Sequence, residues 1–469
     1  MGEDAQGLEV SSTSGTSLAR YDAAIRELFF FREGVVAQTA AALAEDPLAP
    51  MPNVLAAYLA LLGTEPADVA AAGQRFARFL DGTGGRALLP REQAHVDTVR
   101  VWLAGDIHGA GARLAALTVA CPRDALALFT GHQIDFFTGD ARSLRDRIGG
   151  ALSAWRPDDP YYGHLLGMYG FGLEEAGHYD RSEHIALQSV ELNPDDVWGI
   201  HAVAHTYEMQ GRFGDGMRYY DARLPDWSAG NFFTVHNWWH YALYALEAGR
   251  TDRALEIYDA SIRPGETVME LLDASALLWR LYLDGDRQHE RWAALAPAWG
   301  PKVAEPYYSF NDMHAVMAYI GADRLGDARE LIEARQNWLA TPHPGNGNQQ
   351  MTATVGLPVA QALLAFGEGR YSDVVDLLYP IRHRINEFGG SHAQRDAVQR
   401  TLLEGALLAG RTDIARELIS ERIDVRPCSP FNWLKQARLA ELLADPVAAS
   451  AATTQAARLR AEAVPSSAS

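Results

Sequence analysis

The sequence predicts an all-α protein, a right-handed superhelix (solenoid) of tetratricopeptide-type helix pairs that is free to close around a cavity. Three observations predict it. Glycine-centred turns recur at near-constant spacing, small and aromatic residues hold fixed places between them, and no strand-like alternation of useful length interrupts the pattern.

Taken in order, residues 1–18 are polar and rich in Ser, Thr and Gly, without the basic region and apolar core of a signal peptide. They are expected to form a disordered leader. Residues 19–445 carry the repeats. One helical pattern after another ends at a glycine, whose access to positive φ lets a short turn open the next helix. The turns read Ala104-Gly105-Asp106, Thr138-Gly139-Asp140, Ala176-Gly177-His178, Gln210-Gly211-Arg212, Ala248-Gly249-Arg250, Glu368-Gly369-Arg370 and Ala409-Gly410-Arg411. The first five glycines lie 34, 38, 34 and 38 residues apart, which is the tetratricopeptide period.

The clearest copy runs from Gly163 to Pro194, with Gly170, Gly177 and Tyr179 between. The next has Ala204, Tyr207, Gly211, Phe213 and Tyr220. The small residues let paired helices approach, and the aromatics fill the space between them. Before Pro90, and from Pro264 to Pro306, helices are expected without a repeat register. Two segments break the rhythm. Residues 221–235 put proline, tryptophan, glycine and paired phenylalanines before a helix. Residues 339–356 include Thr341 to Gln350, a string too polar and broken for a helix. Segments of this length serve as binding loops or lids, or are disordered. Residues 446–469 read as a C-terminal helix and a frayed tail.

Composition narrows the function classes. The formal charge of −19 comes from 60 acids against 41 bases, of which only Lys302 and Lys435 are lysines. Such a surface repels phosphate backbones and anionic membranes, so neither nucleic acid nor membrane is expected as a partner. Cys121 and Cys428 share no motif, which suits a reducing, cytoplasmic setting. The partners expected are a small-molecule ligand or a peptide; oligomeric state is not fixed by any pattern.

The stretch from His201 to His240 concentrates ionisable and aromatic side chains. His201/His205 and His236/His240 are each four residues apart, one helical turn, so each pair projects from one helix face. Glu208 follows the first pair, and Phe233, Trp238 and Trp239 flank the second. In tetratricopeptide units the first helix lines the concave wall. The register puts His164, His201, His205, Glu208 and His236 on that wall, with His240 on its edge. His201, His205, Glu208, His236 and His240 are therefore candidates for catalysis, with His205 or His240 as base and Glu208 orienting it. Candidate ligand-binding residues are His132, Asp135, His164, Trp238, Trp239, Asp312, His314, His392, Arg395 and Asp396, with Arg395 as an anchor for an anion. His95, His108, His178, His184, His289 and His383 read as surface or turn residues.

Several readings suit this set. Concave positions hold polar side chains in any solvated groove, and a scaffold that binds a peptide there is one function. Neutral imidazoles at four-residue spacing with a carboxylate are good ligands for zinc or iron. The HExxH order is missing, so no cofactor is assigned and a zinc or iron enzyme stays secondary. Binding of a small organic ligand in the cavity, open to its transformation by acid–base chemistry (a hydrolysis or an isomerisation), is the leading reading. No GxSxG elbow or activated cysteine offers a nucleophile.

The strings HAVAHTYEM (His201–Met209), HNWWHYALY (His236–Tyr244), FNDMHAVMA (Phe310–Ala318), VGLPVAQAL (Val355–Leu363) and GGSHAQRD (Gly389–Asp396) resemble the tetratricopeptide repeat protein 38 family, in the same order along the chain. The resemblance spans residues 19–430. It implies an all-helical solenoid and supplies no reaction. It also implies that His201, His205, Glu208, His236, His240, Asp312, His314, Gln394, Arg395 and Asp396 belong to family motifs. The sequence departs at His392, where the family motif has asparagine.

Overall fold

Seven left-handed glycines punctuate the chain where the sequence places its turns. Gly105, Gly139, Gly177, Gly211, Gly249, Gly369 and Gly410 all have φ between 66° and 95°. The computed structural model describes residues 2–12, 14–263, 265 and 267–463. Antiparallel helix pairs stack in sequence order, each pair packing mainly on its neighbours, into an all-α superhelix. In the stretch from Pro264 to Pro306 the turn residue is Gly285, and the turn after Ser309–Gly321 has Asp323 at φ 58° in place of glycine. A short acidic side chain tolerates that conformation better than most.

The two helices of a pair differ in burial. Every residue of Val197–Met209 is buried, as is every residue of Ser309–Gly321. In the second helix Tyr179–Leu192 only Ser182, Ala186, Ser189 and Val190 are. A helix buried all round lies in the interior, and one with a single apolar stripe lies on the surface. The first helices thus form an inner ring and the second helices a solvated jacket.

The ring closes on itself. The late helix His392–Leu408 packs on Val268–Leu283 and touches Val197–Met209. Trp279 Nε1 donates to Thr401 Oγ1 at 2.9 Å, the Tyr308 hydroxyl to the Phe137 carbonyl at 3.1 Å, and the Asn386 side chain to the Gly139 carbonyl at 3.1 Å. A Cβ at Gly139 would sit 1.8 Å from the Asn386 carbonyl oxygen, so this closure requires glycine there. Side chains fill the interior at the first helices, where the sequence left room for a cavity.

Three segments depart from expectation. Residues 2–12 are folded: Gly2–Glu3 pairs antiparallel with Glu9–Val10, Asp4 forms a 2.8 Å ion pair with Arg91, and Ser11 binds Glu92. Their polar residues serve as partners for buried charges. Residues 339–356 are helical in part. Gly347–Met351 is capped by Asn346, whose side chain accepts from Gln349 N, and Thr352–Gly356 runs on into Leu357–Gly367. That segment closes a cleft of about 50 Å³ lined by Trp102, Phe137, Tyr307 and Tyr308, too small for an organic ligand. Residues 221–235 hold the four-residue helix Leu224–Trp227. The C-terminal helix is Pro446–Ala463; the expected frayed tail from residue 464 lies outside the described residues. No helix among the described residues is long and apolar enough to cross a membrane.

Candidate functional site

Two adjacent inner helices bring four histidines together. Val197–Met209 is started by Asp196, whose side chain accepts from Trp198 N, and it carries His201 and His205 one turn apart. Thr234–Glu247 carries His236 and His240 in the same way and packs against it. All four rings are buried. Ring centroids lie 4.3 Å apart for His201/His205, 4.4 Å for His205/His240, 4.9 Å for His236/His240, and 5.0 Å from His201 to both His236 and His240. One nitrogen from each can be chosen so that all lie within 4.8 Å of one another.

Buried carboxylates stand behind three of the rings. Glu208 Oε2 is 2.9 Å from His240 Nδ1, and both Asp273 oxygens are 2.9 Å from His236 Nδ1. Glu174 Oε2 is 3.4 Å from His205 Nδ1, an ion-pair distance without hydrogen-bond alignment. The other Glu174 oxygen faces His392 Nδ1 at 3.3 Å. His201 has no carboxylate, and neither of its nitrogens has a hydrogen-bond partner; Nε2 of His205 and of His240 also lacks one. Aromatic rings close the remaining sides. Phe171 lies 5.1 Å from His201 and from His205, Trp198 5.2 Å and Phe233 5.0 Å from His201, and Trp239 stacks 5.2 Å from His236.

The electrostatics follow from burial and crowding. Burial, then the neighbouring imidazoles, push His201 and His240 well below the ordinary histidine range. Burial works against a charge on His205 too, but the Glu174 carboxylate outweighs it and raises His205. Burial also raises Glu174, yet His205 and His392 hold it down to about 2. Burial pushes Glu208 up to about 7. The result is an ion pair, His205 with Glu174, beside neutral imidazoles whose lone pairs have no donor.

The structure gathers all five candidate catalytic residues, and Trp239 with them. It leaves most of the candidate ligand-binding residues elsewhere. His132 lies one aromatic layer out, 5.7 Å from Trp198, with Nε2 at the Met168 carbonyl. Asp135 turns outward to Arg147 at 2.7 Å. His164 sits under Phe29, Phe30 and Tyr161. Trp238 packs on Trp227, because two residues along a helix from His236 or His240 is a different face. Asp312 binds Arg335 of the outer helix, and His314 Nδ1 binds the Phe310 carbonyl. Arg395 is occupied by Glu175 at 2.9 Å and is not free to anchor an anion. Asp396 is held by Arg400, Arg422 and Arg426. His392 reaches the cluster only through Glu174. His95, expected at the surface, is buried between Tyr58 and Asp124.

Sequence reasoning missed Glu174 and Asp273. A signal existed for the first. Glu174 lies three residues before Gly177 just as Glu208 lies three before Gly211, so both occupy one repeat position. Asp273 lies in the stretch without register and had no such mark.

No protein-family model matches the chain. Solved structures similar to it include a human IFIT1 dimer with PPP-AAAA, at 12% identity over 96% of this chain and 96% of that one, TM-score 0.41. Another human IFIT1 dimer, with m7Gppp-AAAA, matches at 13% identity over 97% of this chain and 96% of that one, TM-score 0.41. A Naa15/Naa10 structure bound to HypK-THB matches at 12% identity over 79% and 64%, TM-score 0.23. At such identities the likeness concerns the helical fold alone. The exclusion of nucleic acid is withdrawn, because net charge describes a whole surface, whereas binding answers to local potential.

Proposed function

We propose that this helical-repeat protein is a metalloprotein whose centre holds one divalent transition ion on His201, His205, His236 and His240. The carrying observation is that four buried imidazoles offer nitrogens within 4.8 Å of one another while buried carboxylates face Nδ1 of three of them. A carboxylate at Nδ1 fixes the ring and its tautomer and leaves the Nε2 lone pair directed forward, the outer-shell arrangement of metal-binding histidines. Without a cation, each orphaned buried nitrogen costs on the order of 1–3 kcal/mol. A metal-free acid–base pair would explain one such nitrogen, not a converging set. Imidazole donors suit zinc, iron or copper.

A divalent ion so held supplies Lewis acidity toward a nitrogen or oxygen donor. The chain's own part is to exclude water with Phe171, Trp198, Phe233 and Trp239 and to orient His205, His236 and His240 through the carboxylates at their Nδ1. A peptide groove is less supported, since the first-helix faces are covered by other helices. The motif strings support membership of the tetratricopeptide repeat protein 38 family, and the two unpaired cysteines a cytoplasmic setting.

The test is metal analysis of the purified chain, as isolated and after reconstitution with zinc, ferrous iron, copper or cobalt. About one retained ion per chain is expected, lost in the double variant H236A/H240A. Retention of none of these metals would overturn the reading.

A further inference from the structure

The four histidines are not equivalent. His205, His236 and His240 each have a buried carboxylate at Nδ1, from Glu174 at 3.4 Å, Asp273 at 2.9 Å and Glu208 at 2.9 Å. His201 has none. Outside the cluster its ring contacts are Phe171, Trp198 and Phe233, at 5.1, 5.2 and 5.0 Å, and neither of its nitrogens makes a hydrogen bond. The centre therefore has a carboxylate-backed face of three imidazoles and an aromatic face that holds the fourth.

An outer-shell carboxylate orients an imidazole and raises its basicity, and losing one weakens metal binding by about 10–100-fold. His201 is thus the weakest of the four ligands. Three protein ligands with an exchangeable fourth position is the arrangement of reactive rather than purely structural ions. Any two of the carboxylates Glu174, Asp273 and Glu208 offset a dication, so the fourth position needs no anion. The walls beside it are rings. We infer that His201 is the exchangeable ligand, and that its place admits a small neutral molecule carrying a nitrogen or oxygen donor on an aromatic or apolar body. This rests on the metal reading above.

The test uses the full chain loaded with cobalt(II), as wild type and as H201A, H205A, H236A and H240A, with retained metal and visible absorption as readouts. H201A should keep its ion with affinity within about tenfold of wild type, whereas the other three should weaken by roughly 100-fold or more. Imidazole should change the H201A spectrum saturably, and azide should need at least roughly tenfold more, given the carboxylates nearby. The inference is overturned if H201A loses cobalt as fully as the other variants, if imidazole leaves its spectrum unmoved, or if azide binds more tightly. Those outcomes leave the metal reading standing, since wild type still holds its ion. A wild-type chain that retains no metal sinks both. H201Q, which fills the same space, is measured alongside, so that an unfolded H201A, detected by circular dichroism, does not end the test.

Discussion

Two buried histidine–carboxylate assemblies in this protein differ in whether the ring nitrogens are matched. Around His95 every polar atom of the ring is matched: Nδ1 meets the Tyr58 hydroxyl at 3.0 Å and Nε2 meets Asp124 at 2.9 Å. Asp124 also accepts from Arg91 at 2.7 Å and caps a helix through Ala127 N. Around His201 to His240 the carboxylates stand on the outside of the rings, and nitrogens of His201, His205 and His240 face inward without partners. A closed network is a structural device. One open at its centre is what the proposed metal site would require.

The largest expected effect breaks the closed network. In D124A, Arg91 loses its nearest carboxylate, His95 loses its Nε2 partner and a helix loses its cap. Arg91 keeps Asp4, but breaking a buried pair together with losing a helix cap costs about 3–5 kcal/mol, read by urea unfolding, and added zinc should restore none of it. The same cost with a full recovery on zinc addition would put the metal at the wrong assembly. Next comes the open centre. Wild type should gain roughly 2.7 kcal/mol when free metal exceeds Kd about a hundredfold, measured as a shift in thermal unfolding, and H236A should gain far less. Equal gains would mean that the ion binds elsewhere.

Much of this contrast was legible in the sequence. The glycine turns and the four-residue histidine spacing set the inner helices and which faces they present. Glu208 was readable because it follows its histidines on one helix. Asp273 was not, since it meets His236 only through the packing of Thr234–Glu247 on Val268–Leu283, a contact outside any repeat register. Arg395 and Asp396 looked like site residues because they are charged and share a motif, but ion pairs with Glu175, Arg400, Arg422 and Arg426 absorb them. Motif membership marks a residue the fold constrains; only partner geometry says whether a ligand or a neighbour does the constraining. The leader was misread for a related reason: polar residues 2–12 have buried partners far along the chain, such as Arg91 and Glu92.

Histidines of a third kind sharpen the comparison through pH. Burial drives His132 down to about 3, against the pull of its bond to the Met168 carbonyl. The folded value lies below the ordinary 6.5, so the unfolded chain takes up the proton first. Stability from keeping this ring neutral is present above about pH 6.5 and is lost as pH falls toward 3. Replacing the ring with a side chain that does not titrate removes that loss. The stability of H132Q relative to wild type should therefore rise by about 1.4 kcal/mol per pH unit between pH 6.5 and 4.5, read from urea midpoints. A difference that is flat in pH would mean that the folded ring takes up its proton as readily as the unfolded one.

The smallest effect concerns Glu174, which the open centre shares with His392. Glu174 faces His205 on one side and His392 on the other, and Glu174, Glu175 and His392 form a second group of candidate metal donors. Here the partners are already matched. Glu175 accepts the His392 backbone N–H at 2.7 Å and pairs with Arg395 at 2.9 Å, and the His392 side chain is 30% exposed. An ion pair this open to solvent contributes less than about 1 kcal/mol. H392A should lower stability by no more than that and should leave the retained metal unchanged, because Glu174 keeps its oxygen behind His205. Were H392A to release the ion as completely as H236A, the centre would have to include the Glu174–His392 side, and the line between a matched and an open assembly would move to that side.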